Sequence, residues 1–182
     1  VRKEMIQIAC FYRDLGVDGF RLDACSHLAK DLSFENSSLP ESNGVALDFS
    51  KFSNRPELLS YLKEFSDAVK GDSDLLLIGE SGGCIQPEEA LPLVNKNDGP
   101  LDMLFNFDTV NENGSYESFA KTDEEIKTDV ISLKRNFMRW YNTLHEDAYL
   151  PIYWENHDNP RLLNQYGSTK YRDESAKMLL VT

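Results

Sequence analysis

The sequence predicts an α/β fold of parallel strands joined by helical crossovers. Three observations carry that expectation. Helical and strand patterns alternate along the 182 residues, which is the signature of βα units. The Gly-rich phosphate turn of a dinucleotide-binding sheet is missing. Asp23, Glu80 and Asp158 each close an apolar run. A doubly wound sheet and a (β/α)8 barrel both fit the alternation. The barrel gathers the carboxyl ends of its strands into one pocket, so it accounts for the acidic strand ends as well.

Met5, Ile8, Ala9, Tyr12 and Leu15 fall at helical spacing, predicting a helix over 3–15 that Gly16 ends. Residues 17–22 read as a short buried strand. Asn, Ser, Pro and Gly in mixture then predict a long loop from Asp31 to Asn54. Pro56 stands at a helix start, with Leu58, Leu62, Phe65 and Val69 on one face. The run 75–80, LLLIGE, suits a strand buried on both sides. A short helix is expected over Pro87–Val94 and a strand over 101–108. Ile126, Val130, Leu133, Phe137, Trp140 and Leu144 alternate steps of four and three, the clearest helical pattern in the chain. A fourth strand is expected over 149–158 and a helix from Arg172 to Thr182.

Composition excludes several classes. With 41% apolar and 27% charged residues the chain reads as globular. Its net charge of −12 is the wrong sign for a phosphate backbone, so nucleic acid is not expected as a partner. No apolar run is long enough to span a membrane. Three dispersed cysteines, Cys10, Cys25 and Cys84, lack any C-x-x-C spacing, which argues against a disulfide framework and a structural zinc site and fits a cytoplasmic protein. The chain opens in mid-helix pattern and reads as a segment of a longer protein.

The candidate chemistry lies at the strand ends. Arg21 and Asp23 are two apart, so a strand aims both at one face. A cation beside Asp23 favours the ionised carboxylate, which suits a nucleophile. Glu80 has no cation beside it in sequence, and a part-buried carboxyl among carboxylates keeps its proton, which suits a general acid. Paired carboxyls of this kind break glycosidic bonds. Plainer readings stand beside these. Asp23 is placed to cap a following helix, Glu80 to sit in an ordinary loop, and Asn156-His157-Asp158-Asn159-Pro160 to form a turn. A metal site of Asp23, His27, Glu80, His157 and Asp158 has neither an H-E-x-x-H run nor an i, i+4 His pair to support it.

Together GFRLDACSH (19–27), IGES (78–81) and ENHDNPR (155–161) resemble three blocks of the α-amylase superfamily, glycoside hydrolase family 13, in the family's order. The resemblance implies one domain, residues 1–182, covering a (β/α)8 barrel from the helix before strand four to the helix after strand seven. It implies that Asp23 is the nucleophile, Arg21 the arginine that holds it ionised, Glu80 the acid/base, and His157 and Asp158 the pair that grips sugar hydroxyls. Arg161 corresponds to a cleft-lining arginine. The blocks YWENHDNPRLLNQYG and YRDESAKMLL resemble the oligo-1,6-glucosidase and α-glucosidase branch. There, Ala24 after the nucleophile and His27 lean toward α-1,4 substrates. An oligosaccharide is the implied partner, by hydrolysis or by transfer to another sugar; relatives that keep the barrel as a partner-binding scaffold lack the carboxylates retained here. No cofactor is implied in this segment, and a calcium site is left to the longer protein. A four-strand segment leaves two open sheet edges, so the isolated piece is expected to be inactive and poorly stable.

Overall fold

In the computed structural model, residues 1–82, 85–108 and 128–181 are described. They fall into two compact units, Val1–Asn106 with Thr143–Pro151, and Phe107–Asn142 with Ile152–Thr182.

The first unit is built on a parallel three-stranded sheet, β1 (Gly19–Leu22), β2 (Leu76–Glu80) and β3 (Met103–Phe105), in that spatial order. Helix α1 (Arg2–Asp14) precedes β1, α2 (Leu58–Lys70) joins β1 to β2, and α3 (Pro87–Val94) joins β2 to β3. The strands are therefore linked by helical crossovers, as the alternating pattern predicts. Gly16 adopts φ 97° after α1, a left-handed conformation that costs glycine little. Arg13 Nη1 donates to Val69 O at 2.9 Å, tying α1 to the last turn of α2. Leu58, Leu62, Ser66 and Val69 form the buried stripe of α2, so Ser66 replaces the expected Phe65, which is half-buried. Gln86 and Glu89 make a capping box at the start of α3, with Pro87 in its first turn.

Register divides the sheet into two faces. Arg21 is level with Ile78, and Ile78 with Met103; Glu80 is level with Phe105. These residues share one face, and all of them are exposed or half-buried. The alternate rows, with Leu77, Gly79 and Leu104, are buried against the helical side. The continuous apolar run 75–80 is thus covered on one face, because the other carries the charged residues. At the opposite end of the strands Asp102 accepts from Lys70 Nζ at 2.8 Å and from Leu77 N at 2.7 Å, clamping the start of β2.

The long loop after β1 is ordered by its own polar contacts. Asp31 accepts from Ser33 N at 2.9 Å and from Lys51 Nζ at 3.0 Å, and its own N–H donates to Lys51 O at 2.7 Å. The Ser33 backbone bond, and then the lysine, hold the Asp31 carboxyl well below the usual carboxylate range.

The second unit contains most of α4 (Val130–Leu144), a short helix α5 (Leu162–Tyr166) and α6 (Arg172–Leu180). The expected start of α4 at Ile126 lies outside the described residues, as do Cys84 and Thr182. Trp140 is buried, and its Nε1 donates to Asp108 at 2.7 Å; Arg139 pairs with the same carboxylate.

The expected fourth strand does not form. The nearest ladder contact to residues 149–158 is an isolated antiparallel bridge between Asn95 and Ala148. Pro151 denies the run a ladder donor. Within the second unit its aromatic residues pack edge to face instead, Tyr153 with Phe107 at 6.4 Å and Trp154 with Phe137 at 5.5 Å and Tyr166 at 5.3 Å.

Gly79, buried in β2, leaves no room for a side chain. A Cβ there would lie 2.7 Å from Leu101 Cδ1 and 2.8 Å from both Cys25 Sγ and Leu104 Cδ1. Gly79→Ala is expected to lower unfolding stability by about 1–3 kcal/mol through overpacking, read from denaturant midpoints at unchanged slope.

Candidate active site

The carboxyl edge of the sheet gathers three of the sequence-predicted residues. Arg21 lies in β1, Asp23 directly follows that strand, and Glu80 is the last residue of β2. Because Leu22 pairs with Gly79, the next position along brings Asp23 level with Glu80. Arg21 sits one pleat below on the same face, and its guanidinium donates to both carboxylates: Nη1 to Asp23 Oδ1 and Nη2 to Glu80 Oε2. Glu80 therefore does have a cation beside it. No cation stands beside it in sequence; this one arrives through a contact between residues 59 apart. Asp23's side chain is 77% exposed and Glu80's 13%, so the two carboxylates present unequal faces to a ligand.

The backbone beyond Asp23 is strained. Ala24 holds φ 41°, ψ 41°, left-handed for a residue with a Cβ, a conformation that costs on the order of 1–3 kcal/mol and concentrates at functional sites. It turns the chain into a single 3₁₀ turn, Cys25–His27. Cys25 is fully buried, and burial pushes its thiol up to about 12, so it packs as an inert apolar group. Asp23 does not act as a helix cap, since the turn begins at Ala24 without a side-chain cap bond.

His27 faces the long loop. Its ring lies 5.4 Å from Phe52 and 6.3 Å from Phe49, and Nε2 is 3.1 Å from where a Cβ on Gly82 would stand. Phe49 and Phe52 pack on each other at 5.2 Å. Sequence reasoning did not single out this aromatic pair; nothing in a loop of mixed polar residues marks which phenylalanines return to the strand end.

The second unit holds the remaining candidates. Asp158 N donates to Asn156 Oδ1 at 2.9 Å, so the N-H-D-N-P run does form the side-chain-stabilised turn its composition suggests. That turn presents Asp158 with its carboxylate 3.4 Å from His157 Nε2, the imidazole largely exposed. Arg161 Nη1 pairs with Glu155 Oε1 at 2.6 Å, while Glu155 Oε2 accepts from Leu162 N at 2.7 Å. The Leu162 bond and then Arg161 lower the Glu155 pKa. Arg161 is thereby tied to the start of α5. Among the described residues no group of three or more His, Cys, Asp or Glu is arranged to hold a metal ion.

The family model of the alpha-amylase catalytic domain matches residues 1–182. The chain belongs to that family. Oligo-1,6-glucosidase of Bacillus cereus is 30% identical over 181 residues, covering 98% of this chain and 31% of that protein. Oligo-1,6-glucosidase of Heyndrickxia coagulans is 32% identical over 183 residues, covering 97% and 32% respectively. Among solved structures, Bacillus licheniformis trehalose-6-phosphate hydrolase superposes with a TM-score of 0.81 at 28% identity over 98% of this chain and 31% of that one. The fold is a partial (β/α) barrel domain of this family, and the chain spans about a third of the length of the relatives it matches.

Burial lowers the pKa of His27 below its ordinary value, and the charge of Lys30 acts in the same direction. A depressed folded value means that the unfolded chain takes up the proton first as pH falls. The contribution of His27 is therefore complete above the ordinary histidine value and is lost as pH drops toward the folded one. An NMR titration should show the His27 imidazole protonating at lower pH than a histidine in a short peptide.

Proposed function

We propose that this chain carries the nucleophile and acid/base of a retaining glycoside hydrolase that removes α-linked glucose from short oligosaccharides. The observation that carries the reading is one guanidinium donating to two carboxylates at the carboxyl edge of adjacent parallel strands. Membership of the family supports it, as do relatives named as glucosidases.

In the first step Asp23 attacks the anomeric carbon while the bond to the leaving oxygen breaks. Glu80 gives its proton to that oxygen. The product is a glycosyl ester on Asp23. In the second step ionised Glu80 takes a proton from water, the water oxygen attacks the same carbon, and Asp23 leaves as carboxylate. Arg21, donating to Asp23 Oδ1, keeps that side chain aimed at the anomeric carbon. It donates to Glu80 strongly only while that group is ionised, so the contact slackens when Glu80 holds the proton it must donate. Asp158 and His157 are read as the grip on the hydroxyls of the reacting sugar, and Arg161, held by Glu155, as part of the cleft wall.

The residues just beyond the nucleophile set the linkage preference. The small side chain of Ala24 and the imidazole of His27 favour α-1,4 substrates, so maltose should be cleaved faster than isomaltose. The reverse order would place the protein with the relatives named for 1,6 activity. In the full-length protein Asp23→Asn and Glu80→Gln should each lower disaccharide turnover on the order of 10²–10⁴-fold while circular dichroism stays unchanged. Unaltered turnover in Glu80→Gln would refute the assignment. Glucose release distinguishes hydrolysis from transfer, which yields isomeric disaccharide instead.

A further inference from the structure

The segments leaving the two carboxylates are joined by a side chain that the reaction does not touch. Ser26 lies three residues beyond Asp23 and is 1% exposed. Its Oγ accepts the backbone N–H of Gly82 at 3.0 Å, two residues beyond Glu80. On the other flank, Ser81 N donates to Phe105 O at 3.0 Å. The chain leaving Glu80 thus runs between two anchors, one from β3 and one from the turn after β1.

The Ser26 anchor is itself rigid. Its carbonyl accepts from Asn54 N at 2.9 Å, closing the far end of the long loop. Ala24 sets the direction of the turn through its left-handed backbone. Cys25 Sγ rests against Gly79 so closely that no Cβ fits between them. Gly82 is bare on the side facing His27, where a Cβ would stand 3.1 Å from Nε2 and 4.0 Å from Ser26 Oγ. A side chain at 82 would crowd the His27 ring, while Ser26 Oγ would lie at ordinary contact distance.

We infer that Ser26 is a positioning residue: through the Gly82 N–H it fixes where Glu80 stands relative to Asp23, coupling the proton donor to the nucleophile. This rests on the glycosidase reading above. Proton transfer depends steeply on heavy-atom separation. Loss of the hydroxyl removes one of the two anchors of the chain leaving Glu80; the β3 anchor and the Arg21 contacts to both carboxylates stay in place. The defect should therefore fall on substrates that need a proton on the leaving group.

The test uses the full-length protein, with Ser26→Ala and Glu80→Gln side by side. kcat/KM is measured on maltose and on α-glucosyl fluoride, since this parameter reports only steps up to the glycosyl intermediate. The maltose leaving group requires protonation, and fluoride departs without it. Ser26→Ala should lose about tenfold on maltose and stay within about twofold of wild type on the fluoride, whose turnover also shows that the variant is folded. Equal losses on both substrates, or no loss on maltose, would overturn the inference. Should Glu80→Gln hydrolyse maltose like wild type, the glycosidase reading itself fails, whatever Ser26→Ala does.

Discussion

The site depends on a single cation placed one pleat below two carboxylates. Side by side on neighbouring strands, Asp23 and Glu80 would repel each other if both were ionised. Arg21 donates to both, and the parallel register fixes its height, since Arg21 is level with Ile78 and not with Glu80. That register is enforced from the other face. Leu77, Gly79 and Leu104 are buried, so a slip of one residue would carry the charged row into the core and the apolar row into solvent. Hydrophobic burial on one side of the sheet thus sets the electrostatic geometry on the other.

The strain at Ala24 belongs to the same construction. A chain continuing extended past Asp23 would carry Cys25 and Ser26 away from β2. The left-handed residue folds it back, so that the Cys25 thiol fills the space left by the missing side chain of Gly79 and the Ser26 hydroxyl meets Gly82. Burial of Cys25 and the Ser26 hydrogen bonds offset a local cost on the order of 1–3 kcal/mol.

Much of this was legible in the sequence, for a physical reason in each case. Periodicity located α1, α2 and the body of α4, because burying one helical face demands it. The apolar runs located β1, β2 and β3, and the two-residue spacing of Arg21 and Asp23 put them on one face. What could not be read locally is contact between distant segments. Arg21 reaches Glu80 across 59 residues, and Ser26 reaches Gly82 across 56. Neither pairing leaves a trace in the spacing of either segment. The run 149–158 has the composition of a strand, but strand formation needs a partner with free donors and acceptors. Pro151 and the edge-to-face packing of Tyr153 and Trp154 give these residues another arrangement.

Carboxylates elsewhere on the same framework show why Asp23 and Glu80 read as functional. Asp102, just before β3, accepts from Lys70 and from the backbone of Leu77. Asp108, three residues after β3, accepts from Trp140 and pairs with Arg139. Asp102 ties α2 to β2 within the first unit and Asp108 holds α4 within the second, and both would be missed mainly in an unfolding experiment. Asp23 joins no helix to a strand. Its side chain is 77% exposed and contacts the guanidinium that also serves Glu80. A carboxylate that bridges structural elements is explained by folding. One paired with an arginine, aimed outward from a strand end and succeeded by a strained residue is not, and that contrast is what the proposed reaction rests on.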